Sequence, residues 1–135
     1  MTLIVCVDDR LGMAFNRRRQ SRDRIVCQDM VNLAADAPIQ MEERSATLFE
    51  NLDGNILATG FSQDPAPDAC CFVEFQPVDA LAQKADKIVL YRWNRHYPAD
   101  LYFDVSLSDW RQTEVTEFPG SSHETITREV YIREK

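Results

Sequence analysis

The sequence predicts an α/β protein with a mixed, mostly parallel sheet, helices on both faces of the sheet and an antiparallel hairpin at the C-terminus. Residues 70–93 have the pattern strand, short helix, strand, which forms a right-handed βαβ crossover between parallel strands. Residues 110–118 and 125–132 alternate in polarity on either side of a Pro-Gly pair, as the strands of a hairpin do. A chain of 135 residues is long enough for one core, so we expect a single domain spanning residues 1–135.

The N-terminal part of the chain predicts the centre of the sheet and the first helix. Residues 3–7 are a continuous apolar run rich in β-branched residues, which predicts a buried strand, and residues 8–12 predict its exit turn. After a polar stretch, Ser21 is expected to cap a helix that carries Asp23 in its first turn. The apolar residues that recur along this helix at three- and four-residue spacing are Ile25, Val26, Met30, Leu33 and Ala34.

The middle of the chain predicts shorter elements. In order, they are a strand at residues 38–41, a helix at 43–52, a strand at 56–60 and an exposed loop at 62–69, rich in Pro and Asp. In the βαβ unit, strands at residues 70–75 and 87–93 flank a helix that is expected to begin at Pro77, because proline suits the first helical position.

The composition excludes several classes of protein. No apolar run approaches the ~20 residues that cross a bilayer, and the N-terminal segment lacks the basic region of a signal peptide. The net charge of −7 disfavours nonspecific binding to nucleic acid. We therefore expect a cytoplasmic protein with neither a membrane nor a nucleic acid as its partner, while its oligomeric state stays open.

The four cysteines predict reduced structural thiols. Cys6, Cys27, Cys70 and Cys71 form no C-x-x-C pair and lie among apolar residues, where a thiol behaves as a small hydrophobic group. The adjacent Cys70 and Cys71 would point to opposite faces of a strand, so they are poorly placed to share a metal or a disulfide. With only two histidines in the chain, no metal site is expected.

The segment 120–123, Gly-Ser-Ser-His, combines hydroxyl groups with an imidazole. A hydrolase of the Ser-His-Asp type also needs a third group that orients the histidine. The sequence places no such group beside His123. We therefore interpret this segment as the loop of the C-terminal hairpin.

Several segments resemble the dihydrofolate reductase family. Residues 7–13, followed by Asn16 and Asp23, match the order of that family's strand, active-site loop and acid-bearing helix. Residues 70–93 resemble its strand, cofactor helix and strand. The C-terminal hairpin is matched in order by Asp100, Phe103, Asp109, Trp110, Glu117, Phe118, Ser122 and His123. The resemblance covers most of the chain and implies the family's three-layer fold.

The resemblance implies a candidate ligand-binding carboxylate at Asp23. In the family, a carboxylate on the first helix holds a pteridine ring and helps to protonate it. Tyr91 stands where the family has a threonine that supports this acid, and its ring would fill part of the pteridine pocket. Alternatively, Asp23 is an ordinary first-turn acid that interacts favourably with the helix dipole. The candidate ligand-binding residues are Asp23, Tyr91, Arg17, Arg18 and Arg19, and Asp23 and Tyr91 are also the candidate catalytic residues.

The cofactor side departs from the family pattern. Where the family has a glycine pair that lets the backbone approach the NADPH diphosphate, this chain has Val73 and Glu74 followed by Phe75. The family's second phosphate segment, Gly-Arg-x-Thr, is reduced to Arg44 and Thr47 next to two glutamates. We therefore expect a dihydrofolate-reductase-like fold that binds no NADPH and has lost reductase activity.

Residues 17–24 hold five of the 15 basic residues and one of the 22 acidic ones, a local charge of +4 that leaves −11 for the rest of the chain. Guanidinium groups bind phosphate or carboxylate through paired hydrogen bonds, so the segment predicts an anion site beside Asp23. Alternatively, it is a solvated loop whose arginines pair with nearby acids. Three functions stay open: a protein that binds a small anionic or heterocyclic ligand near Asp23, an interaction module that binds an acidic partner through residues 17–24, and a residual NADPH-dependent oxidoreductase.

Overall fold

The computed structural model describes residues 1–134. Its strands are β1 (Thr2–Val7), β2 (Gly12–Phe15), β3 (Arg18–Arg19), β4 (Ile39–Gln40), β5 (Ile56–Leu57), β6 (Cys70–Phe72), β7 (Lys87–Arg92), β8 (Leu101–Tyr102), β9 (Trp110–Phe118) and β10 (Ile126–Arg133). Its α-helices are α1 (Arg24–Ala34), α2 (Glu43–Ala46) and α3 (Asp79–Lys84), and 3₁₀ helices span Thr47–Phe49 and Leu107–Asp109.

The main sheet has seven strands in the order β5-β4-β6-β1-β7-β10-β9, with β1 at its centre. β1 pairs in parallel with β6 and β7, and β4 pairs in parallel with β5 and β6. β10 runs antiparallel to β7 and β9, so the C-terminal hairpin forms one edge of the sheet. The mixed, mostly parallel sheet predicted from the sequence is confirmed.

Two apolar cores lie on opposite faces of this sheet. Val26 and Met30 of α1 pack on one face, together with Tyr91 of β7. Leu81 of α3 packs on the other face, against Leu90 of the same strand. Each helix presents its apolar stripe to a sheet face that strand alternation makes apolar, and burial of both stripes is the main force that holds the layers together.

All four cysteines are free thiols, and Cys27, Cys70 and Cys71 are buried. Cys70 belongs to the core under α1, whereas Cys71 belongs to the core under α3. Neighbouring side chains of one strand alternate between faces, as the sequence predicted for this pair.

A second, three-stranded sheet was not predicted from the sequence. β2 pairs in antiparallel fashion with β3 and with β8, and Asn16 and Arg17 form the β2–β3 turn with φ angles of 52° and 62°. The strands of this sheet are two to four residues long, which is too short for an alternating pattern to be recognised. As a result, Arg17, Arg18 and Arg19 lie on an ordered hairpin instead of the expected polar loop.

The helix boundaries also differ from the prediction. α1 begins at Arg24 with Asp23, instead of Ser21, as its cap. The helix expected at residues 43–52 is one turn of α-helix followed by a 3₁₀ turn, which places Phe49 edge-on to Phe72 in the core with ring centroids 5.8 Å apart. Among the helices of the described part, none has the length and apolar character of a membrane-spanning segment.

Candidate functional site

Asp23 is the N-cap of α1. Its backbone is extended, with φ −153° and ψ 123°, and its Oδ1 accepts hydrogen bonds from the backbone N–H groups of Ile25 at 3.0 Å and Val26 at 3.4 Å. A side-chain carboxylate in this position satisfies N–H groups that have no partner within the helix. Asp23 therefore begins the helix and does not project from its side.

The loop between β9 and β10 encloses the same carboxylate. The backbone N–H of Ser121 donates to Oδ1 at 2.9 Å, and that of Ser122 donates to Oδ2 at 2.8 Å. Gly120 passes so close that a Cβ atom at this position would collide with the Asp23 carboxylate. Burial alone would raise the pKa of Asp23, but the hydrogen bonds from Ser121, His123 and Ser122 outweigh it and hold the pKa well below its usual value.

His123 connects Asp23 to two hydroxyl groups. Its Nδ1 lies 3.0 Å from Asp23 Oδ2, while its Nε2 lies 3.2 Å from Ser21 Oγ and 3.1 Å from the Tyr97 hydroxyl. The ring stacks on Trp93 with centroids 4.7 Å apart. Because Nδ1 faces a carboxylate that can only accept, we assign the proton to Nδ1, which leaves Nε2 to accept from the hydroxyls. The third group that the sequence did not place beside His123 is thus Asp23, and Ser21 completes a Ser-His-Asp arrangement.

Tyr91 does not support Asp23, contrary to the expectation from the family pattern. Its hydroxyl donates to Asp29 Oδ2 at 2.6 Å, and Arg128 donates to both oxygens of Asp29 at 3.0 and 2.8 Å. Asp29 follows Asp23 by six residues, which corresponds to about 9 Å along a helix. Burial and the neighbouring Asp29 carboxylate raise the pKa of Tyr91, so the hydroxyl remains protonated and acts as a donor.

Arg19 and Glu74 form a side-chain clamp between the small sheet and the end of β6. Arg19 Nη2 donates to Glu74 Oε1 at 2.8 Å and Arg19 Nε donates to Oε2 at 3.0 Å. The Ser45 hydroxyl adds a third hydrogen bond to Oε1 at 2.8 Å. Of the three arginines proposed as ligand-binding residues, Arg19 is therefore already paired with the acid that replaces a family glycine.

The remnants of the phosphate-binding segment make contacts within the chain. The Arg44 guanidinium lies 3.4 Å from the centroid of the Phe75 ring and donates to the backbone carbonyl of Arg17 at 2.8 Å. The Thr47 hydroxyl donates to the backbone carbonyl of Arg44 at 2.8 Å. The Arg44 side chain thus ties α2 to the hairpin that carries the arginines, whereas the Thr47 hydroxyl bonds within its own helical segment.

Side chains fill the space between Asp23 and Glu74. Two voids remain there, each of about 10 Å³, and both are bordered by Cys6, Ser21, Glu74 and Trp93. A void of this size holds about one water molecule, whereas ligand pockets measure about 300–1,000 Å³. Val73, the other cofactor-side residue, borders one void and is fully buried.

The remaining arginines of the segment face solvent. Arg17, Arg18, Arg22 and Arg24 are exposed, and their guanidinium groups form no ion pair within residues 1–134. Arg22 and Arg24 border an open groove of about 390 Å³ outside the filled pocket. The other residues along this groove are Asp23, Cys27, Thr47, Leu48, Asn51, Ser121 and Ser122.

Comparisons by sequence give no relative for this chain. No protein-family model matches it. No curated protein matches it either.

Among solved structures, the chain is similar to a dihydrofolate reductase from Enterococcus faecalis, which was solved in complex with NADP(H) and RAB-propyl. The TM-score is 0.72, and the match covers 99% of this chain and 96% of that chain at 9% sequence identity. The fold is that of dihydrofolate reductase. At 9% identity, the likeness to dihydrofolate reductase shows the path of the chain and not the chemistry of the site.

Proposed function

We propose that this chain is a binding protein built on the dihydrofolate reductase fold, that it has lost NADPH-dependent reduction, and that it binds an acidic partner through Arg17, Arg18, Arg22 and Arg24. The proposal rests on one contrast: side chains fill the space between Asp23 and Glu74, whereas four arginines of residues 17–24 are exposed and form no ion pair within residues 1–134. Voids of about 10 Å³ remain where the resemblance implies a pteridine, while these four side chains face solvent.

The residues at the cofactor position do not fit a dinucleotide. A diphosphate approaches backbone N–H groups most closely where glycines leave space, but here the Glu74 carboxylate is held by Arg19 and Ser45. Phe75 is covered by the Arg44 guanidinium. Binding would require these contacts to break and would bring phosphate charge next to Glu74, which supports the loss of NADPH binding.

The distribution of charge supports an acidic partner. Residues 17–24 carry +4 on a chain whose net charge is −7, so the segment is a local positive region on an otherwise acidic protein. Long-range attraction of this kind speeds association with an oppositely charged surface and weakens as salt is added. Binding is therefore expected to decrease steeply between low and physiological ionic strength.

The loss of reduction is tested with purified protein, NADPH and dihydrofolate. We expect no NADPH oxidation above that of a blank without protein, and no thermal stabilisation by NADPH. A ligand at about 100 times its dissociation constant would stabilise the fold by ~2.7 kcal/mol, so binding would be visible as a shift in melting temperature. Dihydrofolate-dependent NADPH oxidation would contradict the proposal.

The acidic partner is tested with polyglutamate as the probe. The variant Arg17→Gln/Arg18→Gln is compared with Lys84→Gln/Arg111→Gln, which removes the same charge from two exposed residues outside the segment. We expect weaker binding in the first variant and near-native binding in the second. Equal effects of the two variants would mean that only net charge matters and would contradict a defined arginine face.

A second candidate is a small anionic ligand in the groove beside Asp23. The groove of about 390 Å³ is large enough for one, and Arg22 and Arg24 border it together with several hydroxyl groups. A thermal-shift panel of phosphate, folates, pterins, flavin and nucleotides tests this candidate. A stabilising compound whose effect disappears in Arg22→Gln/Arg24→Gln would favour it over an acidic macromolecule.

A further inference from the structure

We propose that Ser21, His123 and Asp23 form a nucleophilic site that hydrolyses short-chain carboxylic esters. This activity goes beyond the binding function proposed above and does not depend on it. Ser21 is the nucleophile, His123 is its general base, and Asp23 orients the imidazole.

The geometry matches these roles. Ser21 Oγ lies 3.2 Å from His123 Nε2, and His123 Nδ1 lies 3.0 Å from Asp23 Oδ2. A nucleophile bonded to a base, with the base oriented by a third group, is the pattern that activates serine on several unrelated folds. The pattern is recognised by geometry and not by chain order, so its occurrence on this fold needs no common ancestry with known hydrolases.

The three side chains differ in burial in a way that suits their roles. Asp23 is 2% exposed and His123 is 4% exposed, whereas Ser21 is partly exposed. The acid and the base are therefore shielded from water, and the nucleophile lies nearest to solvent. Stacking on Trp93 and the contact with Asp23 leave the imidazole little freedom to rotate.

In the proposed site, the residue after the nucleophile supplies the hydrogen-bond donor for the negative charge that develops on the ester carbonyl oxygen. The backbone N–H of Arg22 donates to no other backbone group within residues 1–134. An N–H of the residue after the nucleophile is a common member of oxyanion holes. Arg22 lies at the surface next to Ser21, and in the proposed site its N–H donates to the carbonyl oxygen of the ester.

The surroundings restrict the substrate to small acyl groups. The voids that border Ser21 measure about 10 Å³ each, so they offer no binding pocket for a long acyl chain. An acetyl ester needs no such pocket, because its acyl group remains on the solvent side of Ser21. The Tyr97 hydroxyl competes with the Ser21 hydroxyl for His123 Nε2. This competition reduces the fraction of molecules in which Ser21 is hydrogen-bonded to its base.

The reaction balances with an ester and water alone. Ser21 Oγ forms a bond to the carbonyl carbon, and its proton passes to His123 Nε2. The ester C–O bond breaks, and the leaving alcohol takes that proton. Water then attacks the acyl-serine, releases the carboxylic acid and restores the Ser21 hydroxyl, with His123 again transferring the proton.

The proposal is tested by labelling the folded chain of residues 1–135 with a fluorophosphonate. Ser21 Oγ would bond to phosphorus and displace fluoride, and peptide mass spectrometry of the wild-type chain locates the adduct without relying on any variant. We expect the adduct on Ser21, its loss in Ser21→Ala and its retention in Ser108→Ala, a control at an exposed serine far from the site in sequence. We also expect labelling to be ~10²-fold slower in His123→Gln and faster in Tyr97→Phe.

Hydrolysis of p-nitrophenyl acetate gives the second measurement. We expect a rate above that of the Ser21→Ala protein, whose folding is checked by its thermal transition. Absence of an adduct at Ser21 in the folded wild-type chain would overturn the proposal. Equal esterase rates in wild type and a folded Ser21→Ala variant would overturn it as well.

Discussion

The Asp23 carboxylate and the His123 imidazole lie 3.0 Å apart across 100 residues of sequence. The contact joins the N-cap of α1 to the loop between β9 and β10, so the start of a helix and the end of the sheet-edge hairpin hold each other in place. Both oxygens of Asp23 are occupied by this loop and by the helix backbone. The Asp23 carboxylate underlies the acid sensitivity and the helix start, and its contact with His123 underlies the reactivity that we expect of this protein.

Asp23→Asn should make folding stability less sensitive to acid. Burial opposes ionisation of Asp23, but the hydrogen bonds from Ser121, His123 and Ser122 lower its native pKa below the ordinary value of about 3.9. The charged group therefore stabilises the fold at higher pH, and this contribution is lost as the pH falls through about 4 and below.

Urea unfolding between pH 7 and pH 2.5 measures this effect. The free energy of unfolding should fall more steeply below pH 4 in wild type than in Asp23→Asn. Asp36→Asn, at an exposed position, controls for the loss of one negative charge. Parallel pH profiles for wild type and Asp23→Asn would show that Asp23 has no depressed native pKa.

The Arg19–Glu74 clamp should appear as a coupling energy in a double-mutant cycle. Their side chains are 24% and 9% exposed, and the paired hydrogen bonds of an Arg–carboxylate contact are stronger than neutral ones. We expect about 1–2 kcal/mol of coupling between Arg19→Met and Glu74→Gln, measured by urea unfolding. Coupling below ~0.5 kcal/mol would mean that the clamp contributes little to closing the site.

Tyr91→Phe should destabilise the protein by about 1–2 kcal/mol, because it removes the hydroxyl that donates to the partly buried Asp29 carboxylate. The change should be strongly non-additive with Asp29→Asn. With Asp23→Asn it should be additive within about 0.5 kcal/mol, since Tyr91 makes no hydrogen bond to Asp23. Strong coupling between Tyr91 and Asp23 would favour the arrangement implied by the family pattern over the one described above.

Gly120→Ala should destabilise the fold by about 1–3 kcal/mol, because the added methyl group meets the Asp23 carboxylate and forces the loop to move. Thermal unfolding measures the loss. Ser122→Ala is the matched control in the same loop, since its side chain is exposed and the backbone N–H that bonds Asp23 is retained. If Gly120→Ala left the free energy of unfolding unchanged, the loop would be able to move away from Asp23 without destabilising the fold.

The long-range architecture was predictable because its strands carry strong local patterns. β1 contains a run of five apolar residues, and β9 and β10 span nine and eight residues, which is long enough for strands to be recognised. The small sheet could not be predicted in this way, because Arg18–Arg19 and Leu101–Tyr102 are strands only through pairing with β2. Tertiary contact, and not local propensity, creates these strands.

The site was harder to predict than the sheet. Ser21 and Asp23 are both good helix caps, so local sequence could not choose between them. The choice follows from the loop at residues 120–123, which surrounds Asp23 with donors. In the same way, the charge of residues 17–24 was visible in the sequence, but the pairing of Arg19 with Glu74 depends on a chain path that brings together residues 55 positions apart.

Cys70 and Cys71 share a peptide bond but belong to different cores, one under α1 and one under α3. Burial raises the pKa of both thiols, that of Cys71 to about 11, so neither reacts readily while the layers stay closed. A thiol reagent would modify Cys70 when the α1 layer opens and Cys71 when the α3 layer opens. The rates at which the two thiols of one short peptide are modified would therefore report the opening of the α1 layer and of the α3 layer separately.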